Sequence, residues 1–200
     1  GAVESALPVD ESACWPAMMA GVNPGETGVY GFTDREVGSY ETYVPMGNDV
    51  QADRLWNRVA AAERAATVLN VPVTFPPERD TQRTVAGSHA TDVASAAYPD
   101  ELRDYLLSID YRLEPDVEAG HEDTEAFLAD AEAMLETRFE AFEHYVETDD
   151  WDLFVGVFTT PDRVNHFLYG DYERGGEHRE AFLDFYRKVD RYVGELHEML

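Results

Sequence analysis

Apolar residues recur along the chain at two spacings, and the elements they predict alternate. Between Thr124 and Glu147, the residues Phe127, Leu128, Ala131, Met134, Leu135, Phe139, Phe142 and Tyr145 fall on one stripe at helical period. From about Glu177 to Met199 the same period carries Phe182, Phe185, Tyr186, Val189, Tyr192, Val193 and Leu196, and both aromatic stripes read as packing surface. Ala52 to Thr67 repeats Leu55, Val59, Ala62 and Ala66 at helical spacing and runs into the strand-like Val68 to Val73, so the pair predicts an αβ unit. Asp152 to Thr160 is apolar, β-branched and aromatic and breaks at Pro161, which predicts a buried strand. A shorter apolar segment, Trp15 to Ala20, predicts a first helix after a turn at Asp10 to Ser12, with Asp10 or Ser12 as its cap. Phe75 to His121 is irregular, interrupted by Pro76, Pro77 and Gly87, with one short helical candidate at Pro99 to Ser108. Helices alternating with valine-rich strands predict an α/β layered domain over residues 1–200, with an irregular insertion at about 77–123.

Composition supports a packed core and narrows the partners. The chain has 200 residues, 44% of them apolar, which is ordinary for a globular domain. Its charge is not ordinary: 41 acidic residues face 15 basic ones, for a formal −26, and the one lysine is Lys188. A field of that sign repels phosphate backbones and anionic lipid, so neither a nucleic-acid polymer nor a membrane surface is expected as partner. The pattern resembles proteins of extreme halophiles, where molar salt shortens the Debye length to about 3 Å and makes self-repulsion tolerable. A specific cationic partner is the competing explanation, against which the acids are spread along the chain rather than gathered in one block. Cys14 is the only cysteine, which rules out an internal disulfide and a cysteine-rich zinc site. No run approaches the ~18 apolar residues of a membrane span and no signal-like segment opens the chain, so a cytoplasmic location is expected. The chain opens at Gly1 without a methionine, which leads us to expect a portion of something longer.

Candidate chemistry gathers at two places. Beyond Pro161 stand Asp162 and His166, spaced D-x-x-x-H. Ligand sites of open α/β sheets collect beyond the carboxyl ends of strands, and both side chains are good ligands for Zn²⁺. If the segment is helical, the spacing puts them on one face, one turn apart. The plain alternative is a helix cap and a surface ring. The second place is Glu11 to Gly25, followed by Thr27 to Phe32, where a polar turn opening a helix offers N–H groups to an anion and a hydroxyl that can attack it.

Taken with Asn70 to Pro77 and Val157 to Phe167, the order and spacing of these segments resemble the type I phosphodiesterase/nucleotide pyrophosphatase family of the alkaline phosphatase superfamily. The resemblance runs through the whole chain and is weakest from Pro115 to Asp150. It implies an alkaline-phosphatase-like layered fold, with a mostly parallel central sheet flanked by helices. It also implies two divalent ions, usually zinc with manganese or magnesium as alternatives, and a threonine or serine nucleophile. Ions roughly 4 Å apart stabilise both the attacking and the leaving oxygen of an in-line displacement. Asp162 and His166 match the family's metal-binding aspartate and histidine. Counting ten residues back from Gly21 lands on Glu11, with Ser12 next to it. Either Ser12 attacks after a one-residue shift, or Glu11 is a metal-facing carboxylate in a diverged or inactive site. Thr27 stands where a histidine is often found. Asn23 and Arg163 are the candidate phosphate contacts, although Arg163 could equally pair with a surface acid.

The family's remaining ligands, an aspartate ahead of the nucleophile, an Asp-His-Gly motif and a later histidine, have no counterpart between Gly1 and Leu200. His89 and His121 lie near acids in irregular stretches and read as exposed surface residues. His144, His178 and His197 fall in helical patterns and read as surface or packing residues. The resemblance therefore implies part of a metal-dependent phosphoesterase acting on a small phosphodiester or nucleotide pyrophosphate. A catalytically inactive binding domain and a sulfatase or phosphonate hydrolase are the alternatives. The oligomeric state is not legible.

Overall fold

A computed structural model describes residues 4–115 and 123–200. The chain divides into two compact units, one formed by the residues up to Asp104 with Asp150–Gly156, the other by Tyr105–Asp149 with Val157–Leu200.

The first unit is built on a mixed sheet. Strands β3 (Ala66–Val71), β4 (Arg83–Ala86), β5 (Ala97–Tyr98) and β6 (Leu153–Gly156) lie in the order β5-β4-β3-β6. β3 pairs parallel with both β4 and β6, and β5 closes one side antiparallel to β4. All six residues of β3 are buried, as a strand with parallel neighbours on both sides requires. A separate two-stranded antiparallel ribbon joins β1 (Asp34–Arg35) to β2 (Thr42–Tyr43). The helices are α1 (Glu11–Ala20), α2 (Pro24–Thr27), α3 (Leu55–Ala61), α4 (Val93–Ala96) and α5 (Asp100–Ser108), whose last turn passes into the second unit.

Several expected elements are shorter or differently placed. The helix expected from Ala52 to Thr67 is α3 alone. Glu63 takes φ 56° and stops it, and Ala65 then pairs with Asp152 through its N–H and carbonyl, so the chain enters β3 at Ala66. The buried side chain of α3 is Trp56, while Leu55 is 47% exposed. The strand expected at Val68 to Val73 ends at Val71, before Pro72. The strand expected from Asp152 to Thr160 is only β6, and it is half-buried because it lies at an end of the sheet with one strand neighbour. The stretch at about 77–123, read as irregular apart from a helical candidate at Pro99 to Ser108, contains that helix as α5 and also β4, α4 and β5.

Arg54 ties two loops of this unit. Its guanidinium, almost fully buried, bonds Glu78 and the carbonyls of Gly47 and Val73, while Glu78 also accepts from Trp56 Nε1 at 3.0 Å and from Asn57. Burial pulls the Arg54 pKa below its ordinary value, opposed by the charges of Glu78 and Asp80. Gly47 passes so close beneath the second loop that a Cβ there would stand 2.9 Å from the Thr74 carbonyl carbon.

The second unit is helical: α6 (Thr124–Thr148), α7 (Thr160–Arg174) and α8 (Arg179–Glu198). Phe127, Leu128, Ala131 and Leu135 of α6, Val164 and Leu168 of α7, and Phe182, Phe185 and Tyr192 of α8 form one buried cluster. Phe139 stacks on Tyr192 with centroids 4.2 Å apart. The two apolar stripes thus do pack. Lys188 lies against α6 with Nζ 3.0 Å from Glu132 and 2.5 Å from Glu136. Burial pulls its pKa down, but the bonds to Glu136 and Glu132 outweigh this and hold it above the ordinary value. No described helix is long and apolar enough to cross a membrane.

The β3–β4 pairing depends on a close backbone approach at Gly87. Its N–H donates to the Val71 carbonyl and to Thr74 Oγ1, both at 3.1 Å, and a Cβ would fall 2.3 Å from Val71 O. Gly87→Ala is therefore expected to cost about 1–3 kcal/mol by overpacking. The measurement is the urea midpoint, which should fall at unchanged slope.

Candidate active site

Asp162 and His166, the pair expected to hold metal, sit on the first two turns of α7. Thr159 occupies the cap position and Pro161 the first turn, where its missing N–H is harmless, so the proline begins the helix with Thr160 instead of ending the strand. Asp162 is the third helical residue and not the cap; its charge there complements the helix dipole. His166 follows one turn later. Its Nδ1 lies 2.9 Å from the Asp162 carbonyl oxygen and 3.7 Å from Asp162 Oδ2. Nδ1–H donating to that carbonyl assigns the lone pair to Nε2, the arrangement in which an imidazole is ready to take a metal. The two side chains are 48% and 63% exposed.

Arg163 is engaged with acids. Nε donates to Glu114 Oε2 at 2.9 Å and Nη1 to Asp162 Oδ2 at 3.4 Å, so a phosphate would compete with two carboxylates for it. Tyr186 of α8 reaches the same turn, its hydroxyl donating to the Pro161 carbonyl at 3.4 Å.

The segment expected to carry the nucleophile forms α1. Asp10 Oδ1 accepts from Ser12 N at 2.9 Å, which makes Asp10 the cap and starts the helix at Glu11, four residues before the apolar stretch predicted. Ser12 is 6% exposed, whereas Glu11 faces outward. A groove of about 730 Å³ along α1 is lined by Glu11, Cys14, Trp15, Met18, Asn23 and Glu26 among others. Ser12 is not on its wall, and neither is any basic residue. Asn23 caps α2, with Oδ1 accepting from Gly25 N at 2.8 Å and Nδ2 donating to Glu26 at 2.7 Å, so both ends of its amide are engaged locally. Thr27 is buried at the end of α2, its hydroxyl donating to the Pro24 carbonyl at 3.2 Å.

Among the histidines, His89 departs from the surface reading. It follows β4 with φ 78°, stacks on Phe32 at 5.8 Å between centroids, and both ring nitrogens are buried with no hydrogen-bond partner among the described residues. No spacing or motif in the sequence pointed to that. His144 packs on Tyr105 at 4.2 Å, and His121 lies outside the described residues. Among the described residues no three or more of His, Cys, Asp and Glu gather to hold a metal. Asp162 and His166 fit a zinc ion as two of its ligands, and four complete a tetrahedral shell.

A family model, type I phosphodiesterase/nucleotide pyrophosphatase, matches residues 1–200. The chain belongs to this family. The mixed sheet with its mostly parallel strands is the alkaline-phosphatase-like fold of its members. At family level the chain is a phosphodiesterase/pyrophosphatase-type hydrolase, and the family is generally metal-dependent. No curated protein and no solved structure matches the chain.

Tyr186 offers a pH handle on the α7 turn. Burial raises its pKa, a hydrogen bond with Asn165 opposes this, and the Asp162 charge adds to it. A phenol held protonated by the fold contributes stability below its unfolded pKa, near 10, and that contribution disappears as pH rises through the folded value. Unfolding midpoints of the wild type should accordingly fall more steeply above about pH 10 than those of Tyr186→Phe.

Proposed function

We propose that this chain contributes to a metal-dependent phosphoesterase that hydrolyses a phosphodiester or nucleotide pyrophosphate bond of a small molecule. The reading is carried by the Asp162–His166 pair, with Nδ1 of the exposed histidine tied back to the helix so that its lone pair falls on Nε2. An imidazole and a carboxylate suit zinc, with manganese as the alternative. Divalent ions, when bound, supply charge for the developing oxygens of an in-line displacement. Asp162 and His166 would hold and orient one of them. Arg163 would keep the Asp162 carboxylate in place and contact phosphate oxygens only after releasing Glu114.

A second reading, a diverged binding domain without catalysis, is favoured by α1: Glu11 lines the groove, while Ser12, the candidate attacker, is turned inward. The acidic composition supports a halophilic setting for either reading.

The test is zinc- or manganese-dependent hydrolysis of bis(p-nitrophenyl) phosphate by the complete protein in molar KCl. Asp162→Ala is expected to lower kcat/KM by about 100-fold or more with far-UV circular dichroism unchanged, since metal ligands and their supports carry effects of at least 10–100-fold. Unchanged activity in that variant would sink the assignment. Ser12→Ala and Glu11→Gln then separate the two readings: loss in the first alone identifies a hydroxyl attacker, and no activity in the wild type with any metal favours the binding domain. The halophilic setting is checked separately by thermal melts, where the midpoint should rise between 0.1 and 3 M KCl as about 10 Å of Debye length shrinks below 3 Å.

A further inference from the structure

Arg138 is the largest polar side chain in the interior of the helical unit, with no exposed surface. Four bonds hold its guanidinium: Nε to the Tyr111 hydroxyl at 3.2 Å, Nη2 to the carbonyls of Arg112 and Leu113 at 3.3 and 3.1 Å, and Nη1 to Thr159 Oγ1. It also lies 5.5 Å over the Tyr111 ring. Every one of these partners is neutral. Among the described residues no carboxylate bonds it; a buried cation so placed costs several kcal/mol in desolvation, and apolar residues of similar volume commonly serve a core better. Packing alone therefore does not explain an arginine here.

What the arginine does is visible at Thr159. A threonine at the cap position normally turns its hydroxyl to the free N–H groups of the first turn. Thr159 makes no such bond, and its backbone is helical, with φ −83° and ψ −19°. Its hydroxyl goes to Arg138 instead. The start of α7 is thus pinned to α6 and, through the same guanidinium, to the backbone at residues 112 and 113. Asp162 is three residues beyond the pinned position and Arg163, four beyond, pairs with Glu114, one residue past the other anchor.

We propose that Arg138 is a positioning residue for the metal pair: through Thr159 it fixes the rotation of α7 about its axis, and so the direction in which Asp162 and His166 present their donors. The proposal rests on the reading of those two residues as metal ligands.

Zinc binding by titration calorimetry on the complete protein, well below its melting temperature, tests it without reference to turnover. Thr159→Val deletes the bond to Arg138 while leaving the arginine's carbonyl bonds, and Arg138→Met removes the pin altogether. Each is expected to weaken zinc binding by about 10–100-fold, the range for residues that orient a ligand. Phe185→Leu loosens the same core away from Thr159 and should lower the melting temperature with zinc affinity within about twofold, which a purely structural role for Arg138 would not distinguish. If Arg138→Met does not fold, Thr159→Val decides. Wild-type affinity in Thr159→Val, with binding lost in Asp162→Ala, overturns the positioning role alone. Wild-type affinity in Asp162→Ala overturns the metal reading and this proposal with it.

Discussion

The parallel pairing of β3 on both sides is the constraint from which the first unit follows. Parallel neighbours cannot be joined by a tight turn, so the chain must leave β3, travel, and return in the same direction each time. It does so by a short crossover to β4 and by a long one that comes back as β6. The carboxyl ends of β3, β4 and β6 therefore share one edge of the sheet. β3 and β4 are each followed by a residue of positive φ outside regular pairing, Val73 at φ 59° and His89 at φ 78°. Positive φ at β-branched or bulky residues is strained and persists only where surroundings dictate it.

Charge imposes the second constraint. With 41 acidic residues the outside of this protein is crowded with like charge, and the few cations that enter the interior are placed with care. Arg54 meets Glu78, which is also held by Trp56 and Asn57, so its charge is neutralised and its fork filled. Lys188 meets two glutamates of α6. Among the described residues Arg138 meets only neutral oxygens, a difference that the proposed positioning role would explain.

Much of the helical frame was legible because its apolar stripes are long. α6 and α8 cover 25 and 20 residues, enough for the period to stand out and for burial to follow it. β4 was not legible: Arg83–Ala86 is four residues with no alternation, and its place is decided by β3 and by Gly87 rather than by its own sequence. β6 misled because a short aromatic and β-branched run looks the same whether it lies inside a sheet or at its end. The D-x-x-x-H spacing put Asp162 and His166 one turn apart on one helix, since spacing maps directly onto helix geometry. Arg138 left a fainter trace, an arginine on the very stripe of Ala131, Leu135, Phe142 and Tyr145 where an apolar residue belongs. His89 left none, because the partner ring, Phe32, is remote in sequence.

The choice between Glu11 and Ser12 is a matter of helix phase. Successive residues of a helix differ by about 100° in direction, and at this end of α1 the groove takes Glu11 while Ser12 is turned inward. Phase is set at the cap, and Asp10 sets it by accepting from Ser12 N. Moving the start of α1 by one residue would give up that cap, which costs about 1 kcal/mol and is not by itself prohibitive. The larger obstacle is that the turn bringing Ser12 outward would carry Glu11 toward the interior, and burying an unpaired carboxylate costs several kcal/mol. The glutamate, more than the cap, holds the serine in. A carboxylate at this position thus opposes the slip that would offer the neighbouring hydroxyl to the groove.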